Sequence, residues 1–401
     1  MSELLKNAGL STRAVHAGEG VDPATGAAAV PIYQTAPFGF PNAKALEDAF
    51  LKPKEGDYIY SRMGNPTVRA LENKVTALEG AQDSVAAASG MAAISTTMFT
   101  LLGPGARLVA YRDLYGGTSG FFRRVLEPWG VEVVWVDVGA ETGDGADLKA
   151  ALGDGAGVLY LETPTNPTLK VVDIEAAAGL GRTAGAAIVA DSTFATPVLQ
   201  SPLELGADLV IHSLTKYLGG HGDTTGGLVA GSEDTIKEIR ARLVDLGGIM
   251  DPLAAFLIMR GVKTVKVRVL QTAENAMAIA RHLEAHSRIR RVNYPGLESS
   301  PYHETAAGQM RAFGGMLSFE VDAELEDVRK VVDAFRMITI IPSLGSVDTT
   351  LLLPAVSSHY KLSKAEREAM GIPDGLIRLS VGIEDISDIL EDLDYGLSVL
   401  D

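Results

Sequence analysis

Polar residues follow three apolar runs in the middle of the chain, and their types could do chemistry on amines and anions. The run 158–161 leads into Glu162-Thr-Pro-Thr-Asn-Pro167, the run 187–190 into Asp191, and the run 209–211 into His-Ser-Leu-Thr-Lys216. A lysine that is partly removed from water loses its proton more readily, so its neutral amine can form a Schiff base with a carbonyl compound. Taken alone, Lys216 could also be a solvated surface lysine and Asp191 a turn cap.

A second segment, Ser89-Gly90-Met91, has the residue types of an anion site. It opens an uncharged, helix-like stretch, and the N–H groups at a helix N-terminus bind phosphate, which glycine allows to approach closely. An ordinary capped helix is the alternative explanation of this motif. The chain contains neither G-x-G-x-x-G nor G-x-x-x-x-G-K-[ST], which argues against dinucleotide binding and P-loop chemistry.

Together, an amine, a carboxylate and a phosphate cradle describe a site for pyridoxal phosphate. Ligands of open α/β sheets bind outside the carboxyl ends of the strands. If the three apolar runs are neighbouring strands, then Asn166, Asp191 and Lys216 all lie at that edge. Each signal is weak alone, and it is their order along the chain that predicts the shared site.

The elements around these motifs predict an α/β protein with two domains. Between about residues 67 and 261, short apolar runs at 107–111, 131–136, 158–161, 187–190 and 209–211 alternate with helical stretches, which is typical of a doubly wound, parallel sheet. After residue 261 we expect a long helix at 262–286, strands at 314–321 and 376–381, and helices at 328–335 and 386–400. We therefore predict an N-terminal arm at 1–60, a large cofactor-binding α/β domain at 61–260 and a C-terminal α+β domain at 261–401.

Composition excludes several classes of protein and site. The 401 residues include 35 Lys+Arg against 51 Asp+Glu, a net charge of -16, and such an acidic balance argues against nucleic-acid and anionic-membrane partners. There is no cysteine, which excludes disulfides and thiolate sites, and we predict no metal site. The N-terminal residues have no signal-like apolar stretch, so we expect a cytoplasmic protein. The uncharged segment 84–106 is rich in Ser, Thr and Gly, so we interpret it as a buried helix that begins after a Ser-Gly turn rather than as a membrane span.

Nine segments resemble the Cys/Met-metabolism family of pyridoxal-phosphate enzymes, in the family's order. They are Tyr60–Thr67, Ala88–Met91, Leu114–Thr118, Glu162–Pro167, Asp191–Pro197, His212–Asp223, Arg260–Thr264, Pro342–Gly345 and Leu376–Asp385. The resemblance implies an aspartate-aminotransferase-like fold of type I, with a large, mainly parallel sheet and a smaller C-terminal domain. It implies pyridoxal 5'-phosphate as the cofactor and an amino acid, a small molecule, as the substrate.

The resemblance also implies a role for each matching residue. Lys216 would bind the cofactor covalently, Asp191 would pair with its ring nitrogen, and Tyr115 would stack on the ring and help to expel the leaving group. The phosphate would be held by Gly90, Met91, Ser213 and Thr215, and by Tyr60 and Arg62 of a neighbouring subunit. The substrate α-carboxylate would be bound by Arg378, with Ser343 and Asn166. Shared sites of this kind imply a dimer, and the family pattern implies a homotetramer built as a dimer of dimers.

Within the family, the chain is most similar to members that act on methionine. Members that process cystathionine carry an arginine for the distal carboxylate at the position of Gly120. We therefore expect a carbon–sulfur γ-lyase that releases thiol, 2-oxobutanoate and ammonia. Cystathionine γ-lyase activity, γ-replacement by a γ-synthase or an O-acetylhomoserine sulfhydrylase, and a non-catalytic cofactor-binding role are the alternatives. Gly117, Ser192 and Asp348 also depart from common family residues, with no predicted effect on specificity.

Overall fold

Two β-sheets occupy successive parts of the chain in the computed structural model, which describes residues 8–52, 54, 56–139, 145–153 and 155–400. The strands of the first sheet are β1 (Asp83–Ala87), β2 (Arg107–Tyr111), β3 (Glu132–Val136), β4 (Val158–Glu162), β5 (Ala187–Asp191), β6 (Leu209–Ser213) and β7 (Gly227–Gly231). Their spatial order is β1-β7-β6-β5-β4-β2-β3, and β7 alone runs antiparallel to its neighbours. The five predicted strands are all present, with ends that differ by at most two residues.

Two strands of the first sheet were not predicted, namely β1 and β7, which form one side of that sheet. The segment 84–106 that we interpreted as a helix contains most of β1 before its helix begins at Gly90. Val85 is the only residue of β1 (Asp-Ser-Val-Ala-Ala) with a strong β propensity, so the pairing with β7 decides the conformation of this segment. No helix in the described ranges is long and apolar enough to cross a membrane.

Helices cover both faces of the first sheet. They are α1 (Leu10–His16), α2 (Ala43–Leu51), α3 (Pro66–Glu79), α4 (Gly90–Leu101), α5 (Gly116–Phe121), α6 (Ala146–Leu152), α7 (Ile174–Thr183), α8 (Thr196–Leu199), α9 (Glu233–Leu246) and α10 (Pro252–Val262), and a π-helical turn (Phe122–Leu126) follows α5. Residues of α4, α5 and α9 pack on one face, and those of α3, α6, α7 and α10 on the other. Burial on both faces explains why the strands are nearly continuous apolar runs.

The second sheet follows the long helix α11 (Val265–Glu284). Its strands are β8 (Ile289–Asn293), β9 (Met316–Val321), β10 (Thr339–Ile340), β11 (Thr350–Leu352) and β12 (Leu376–Ser380), in the order β10-β11-β12-β9-β8. The remaining helices are α12 (His303–Gln309), α13 (Leu325–Ala334), α14 (Lys364–Ala369) and α15 (Ile386–Leu397). Side chains of α11, α13 and α15 form one apolar core with this sheet. The division into 1–60, 61–260 and 261–401 stays a prediction, although one sheet lies on each side of residue 261.

A buried lysine attaches the N-terminal segment to the first sheet's helices. Lys74 on α3 is fully buried, and its Nζ donates to the carbonyl oxygens of Ala14 and Val15 at 2.8 and 3.2 Å. It also lies 2.9 Å from Oε1 of Glu19, whose other oxygen is 2.7 Å from Nζ of Lys263. Burial lowers the pKa of Lys74, and the ion pair with Glu19 opposes that shift.

Replacing Lys74→Met should lower the free energy of unfolding by about 3 kcal/mol, because it breaks a buried ion pair and leaves two carbonyl groups without a donor. Denaturant unfolding followed by tryptophan fluorescence measures this. Lys44→Met is the matched control, since Lys44 pairs with Glu47 and Asp48 on the exposed surface of α2. Its loss should stay below about 1 kcal/mol. Equal losses in the two variants would contradict the anchoring role of Lys74.

Candidate active site

A cavity of about 240 Å³ opens where the carboxyl ends of β4, β5 and β6 face the second sheet. Its lining combines residues from both sheets: Ser89, Gly90, Met91, Ile94, Tyr115, Glu162, Asn166, Asp191, Thr193, Phe194, Ser213, Thr215, Lys216, Thr225, Pro342, Ser343, Leu344 and Arg378. Ten of the twelve site residues that the sequence predicts therefore surround one space. Their individual roles stay predictions.

Lys216 projects into this cavity from the turn after β6. Its Nζ donates to Oγ of Ser343, 3.0 Å away in the segment that precedes β11. Burial, and then the positive charge of Arg378, lower the pKa of Lys216 to about 8. At neutral pH a useful fraction of this amine is unprotonated, which is the state that attacks a carbonyl carbon.

Arg378, on β12 of the second sheet, supplies the main anion-binding group of the cavity. Its Nη1 donates to Oδ1 of Asn166 at 3.1 Å and its Nη2 to the carbonyl oxygen of Ser343 at 2.7 Å. Its Nε is buried and has no hydrogen-bond partner in the described part of the chain. Burial lowers the pKa of Arg378 to about 10, so the guanidinium remains charged at neutral pH. No Asp or Glu of the described ranges pairs with it, and a substrate carboxylate fits this uncompensated charge.

Asp191 lies at the end of β5 with one side of its carboxylate fixed. The hydroxyl and N–H groups of Thr193 donate to its Oδ1 at 2.6 and 3.0 Å, and the Tyr160 hydroxyl lies 3.4 Å from Oδ2. Burial raises the pKa of Asp191, but the two bonds from Thr193 oppose this. Burial and the Asp191 charge raise the pKa of nearby Glu162 well above its ordinary value. We infer that the proton of this carboxyl pair resides on Glu162 and the negative charge on Asp191.

The N-terminus of α4 forms an anion cradle at one end of the cavity. Ser89 caps the helix by accepting from the N–H of Ala92, while the first N–H groups of any helix lack intrahelical acceptors. A Cβ on Gly90 would lie 3.0 Å from that of Ser213, so only glycine leaves this approach open. The hydroxyl-bearing residues Ser213, Thr215 and Thr225 line the same space.

These groups fit pyridoxal phosphate. The cradle suits its phosphate, the ionised Asp191 suits a protonated ring nitrogen, and the partly desolvated Lys216 suits its carbonyl carbon. The Nε of Arg378, which has no hydrogen-bond partner among the described residues, remains available in the same cavity for an anionic group of the substrate.

Tyr115 stands at the mouth of the cavity, half exposed, at the start of α5. Its N–H donates to Oε2 of Glu162 at 2.7 Å, which ties the helix start to the end of β4. A Cβ on Gly117 would overlap the Tyr115 ring in this position. Gly117 therefore gives the ring room to lie along its own helix.

Tyr60 and Arg62 do not line this cavity. The Arg62 Nη1 donates to the carbonyl oxygen of Val244 at 3.0 Å, and its guanidinium lies 5.9 Å from the centre of the Tyr60 ring. Arg62 borders a different cavity, near α2, α3 and α9. A single chain therefore does not bring these two residues to Lys216.

Gly120, on which we based the expected substrate preference, is buried in α5 and does not line the cavity either. A Cβ there would lie 2.6 Å from the guanidinium nitrogens of Arg124, one turn further along. An arginine introduced at this position would have to displace Arg124. The expected preference for a substrate with an uncharged end to its side chain must therefore be argued from the residues that line the cavity.

Three residues with a place in the site were not singled out from the sequence: Glu162, Thr193 and Tyr160. Glu162 and Thr193 stand at strand ends within the recognised motifs, so their positions were a usable signal. Tyr160 lies inside β4 as one more apolar residue of a buried strand, and only the pairing of β4 with β5 brings its hydroxyl to Asp191.

Comparison with known proteins agrees with this geometry. The model of the "Cys/Met metabolism PLP-dependent enzyme" family matches residues 11–398. The chain is 43% identical over 395 residues to an L-methionine gamma-lyase of Fusobacterium nucleatum subsp. polymorphum, covering 98% of both proteins. It is 40% identical over 393 residues to a cystathionine gamma-lyase of Dictyostelium discoideum, covering 97% of both. A crystal structure of cystathionine gamma synthase from Xanthomonas oryzae pv. oryzae superposes with a TM-score of 0.91, at 37% identity and 98% coverage of both chains. The chain belongs to the Cys/Met metabolism family of pyridoxal-phosphate-dependent enzymes.

Proposed function

We propose that this chain is a carbon–sulfur γ-lyase that converts methionine, or a similar uncharged γ-thioether amino acid, with water into a thiol, 2-oxobutanoate and ammonia. One observation carries the proposal: Lys216 and Arg378 face the same cavity, joined through Ser343. An α-amino acid can place its carboxylate against Arg378 while its amino group and Cα lie toward Lys216. Both methionine and cystathionine γ-lyases are among the relatives, so their names alone do not choose the substrate.

Pyridoxal phosphate, when bound, supplies a carbonyl carbon that condenses with amines and a ring that accepts electrons from Cα. Gly90, Met91, Ser213 and Thr215 would hold its phosphate, Asp191 its ring nitrogen and Lys216 its carbonyl carbon. Thr193 keeps Asp191 oriented, and Glu162 keeps the start of α5 in place through the Tyr115 N–H. These residues act by binding and orientation, before any proton moves.

Lys216 is the proposed base. Its Nζ would take the proton from Cα and then one from Cβ, since a γ-elimination needs both. A pKa of about 8 lets this amine both accept and return a proton near neutral pH. Ser343, whose hydroxyl accepts from Nζ, would steer the amine between these two positions.

Tyr115 is the proposed acid for the leaving group. It stands at the mouth of the cavity, where the γ substituent of a substrate bound through Arg378 would lie. Its hydroxyl would protonate the departing sulfur, which leaves as a neutral thiol. The space that Gly117 leaves beside the ring permits the small movement that this requires.

The cavity lining favours an uncharged substrate side chain. Among the described residues, its cations are Lys216 and Arg378, and both have other roles. The remaining lining toward the second sheet includes Pro342 and Leu344. A second carboxylate, such as that of cystathionine, would find no free cation there and would lose a charge-assisted hydrogen bond.

We also propose that the active unit is at least a dimer with shared sites, assembled further into a homotetramer. Tyr60 and Arg62 are exposed, and Arg62 borders one cavity with the exposed apolar side chains of Phe50 and Met63. Exposed clusters of this kind are typical of protein interfaces. An Arg62 that reaches into a neighbouring subunit would add a cation to the phosphate end of that subunit's cavity.

Methionine should be turned over with a higher kcat/KM than cystathionine, by about 10–150-fold, because the distal carboxylate lacks a charged partner. Release of 2-oxobutanoate and thiol measures this for methionine, homocysteine, cystathionine and O-acetylhomoserine. Lys216→Ala, which removes the proposed base, is the inactive control. Added thiol or sulfide should not be needed for turnover, whereas a γ-replacement enzyme would require it. A higher kcat/KM for cystathionine would favour the cystathionine γ-lyase alternative.

In the cofactor-free protein, Lys216 should react with acetic anhydride with a half-maximal rate near pH 8, instead of near the ordinary lysine pKa of about 10.4. Since only the neutral amine reacts, labelling should rise from pH 7 to 9 and then level off. Peptide mass spectrometry after short pulses gives the profile. Arg378→Gln should move the midpoint upward, because it removes a positive charge that disfavours the protonated amine. An exposed lysine, Lys44, is the internal reference, and a common midpoint for both would refute the desolvation of Lys216.

Arg62→Ala and Lys216→Ala subunits should each be inactive or weakly active alone but should partly restore one another when mixed. If Arg62 acts across the interface, each heterodimer has one site with an intact Lys216 and an intact Arg62, and therefore about half of the parent activity per dimer. Differently tagged subunits, purified as confirmed heterodimers, allow the assay. No recovery in those heterodimers would exclude action in trans.

A further inference from the structure

A buried polar cluster lies behind the strand that carries Asp191, and the mechanism above does not use it. It consists of Glu79 at the end of α3, His212 on β6 and Ser192 directly after β5. The Nε2 of His212 and Oε1 of Glu79 are 2.5 Å apart, and both side chains are fully buried. Ser192 is fully buried as well.

Strand register places Ser192 beside His212. Asp191 pairs with Ile211 in the parallel ladder, and the N–H of Ser192 donates to the Ile211 carbonyl oxygen at 3.0 Å. The next residues on each strand, Ser192 and His212, are therefore lateral neighbours on the opposite face of the sheet. Asp191 points toward the cavity, and the two neighbours point toward α3, which carries Glu79.

Each of the three side chains keeps one buried polar atom without a hydrogen-bond partner in the described part of the protein: Oγ of Ser192, Nδ1 of His212 and Oε2 of Glu79. Buried polar atoms are as a rule hydrogen-bonded, to protein or to internal water. Oγ of Ser192 and Nδ1 of His212 therefore make no direct hydrogen bond to each other, although register makes the two residues neighbours, and one bridging water would satisfy both atoms.

A serine, a histidine and a carboxylate also make up a hydrolytic triad, but this cluster cannot act as one. All three side chains are inaccessible, and the substrate cavity lies on the other face of the sheet. The cluster can therefore affect the site only indirectly, by positioning the strand that carries Asp191 or by its electrostatic effect on Asp191.

We propose that Ser192, one bridging water, His212 and Glu79 form a hydrogen-bonded relay that positions Asp191 and favours its ionised form for cofactor binding. Among the described residues, His212 is the ion-pair partner of Glu79, and no Lys or Arg of those residues pairs with this carboxylate. The His212 side chain lies beside Ser192, the residue that directly follows Asp191. Burial most strongly raises the pKa of Asp191, and the charge of His212 is among the influences that lower it. The proposal rests on the cofactor-binding role proposed for Asp191.

The test is the dissociation constant of pyridoxal phosphate, measured by titrating the dialysed enzyme and following visible absorbance. Ser192→Ala should raise it by about 2–10-fold, the effect of one neutral hydrogen bond. Glu79→Gln should raise it by about 10-fold or more, as loss of an outer-shell charge partner does at metal sites. Ser192→Asn should keep the dissociation constant within about 2-fold of the parent value, because the longer amide side chain can reach His212 without the water.

Ser84→Ala is the matched control, because Ser84 is an equally buried serine of the same sheet, bonded to Glu72 and Thr76 away from Asp191. It should leave the dissociation constant unchanged even if it lowers the melting temperature. In a single relay, the double variant Ser192→Ala/Glu79→Gln should bind no worse than Glu79→Gln alone. The relay would be overturned if Ser192→Ala and Ser84→Ala had the same dissociation constant. It would also be overturned if the fold-increases of the two single variants multiplied in the double variant.

Asp191→Asn separates the possible failures. If Asp191→Asn weakens binding while Ser192→Ala and Glu79→Gln do not, the relay is wrong and the role of Asp191 stands. If Asp191→Asn leaves binding unchanged, both are wrong. Because the readout is cofactor affinity, a failure of the proposed lyase activity would show separately, as absent turnover with normal binding in the parent enzyme.

Discussion

The buried guanidinium of Arg378 is the interaction on which the site depends, because it joins the two sheets across the cavity. It belongs to β12 of the second sheet, yet it donates to Asn166, which follows β4 of the first. Through the carbonyl group of Ser343 it also holds the segment whose hydroxyl accepts from Lys216. A charged group buried in this way is costly unless its donors are used, so the relative position of the two sheets is closely constrained.

The same placement sets the electrostatics of the site. The two cations, Lys216 and Arg378, lie close enough for the charge of one to lower the pKa of the other. Opposite them, burial raises the pKa values of Glu162 and Asp191, and the hydrogen bonds from Thr193 favour the charge on Asp191. One amine near its neutral form and one carboxylate held ionised are the two states that a pyridoxal-phosphate enzyme needs. The first state is not a property of lysine as a residue type, because it results from burial and from the charge of Arg378.

Glycines make the site accessible at two close approaches. Gly90 leaves the start of α4 open opposite Ser213. The backbone of Gly227, on β7, packs directly against the backbone of Ser89, so β7 supports the anion cradle. A side chain at Gly227 would collide with the Ser89 carbonyl group. One of the two strands of the first sheet that were not predicted, β7, thus packs against the anion cradle.

The sequence by itself determined the local features: the five central strands of the first sheet, the long helix after residue 261, and ten residues that proved to surround one cavity. The strands and the helix follow from apolar periodicity. The site residues follow from motifs whose residues are close in the chain and, for Tyr115, Ser343 and Arg378, from the resemblance to the family. It did not determine β1 and β7: among the described strands, β1 pairs only with β7, about 140 residues further along the chain, and β7 is a short segment with a glycine at each end. Nor did it indicate that Tyr160 reaches Asp191, that Ser192 lies beside His212, or that Arg124 covers Gly120. These contacts depend on strand register and helix packing, which join distant segments and therefore exist only in the tertiary structure.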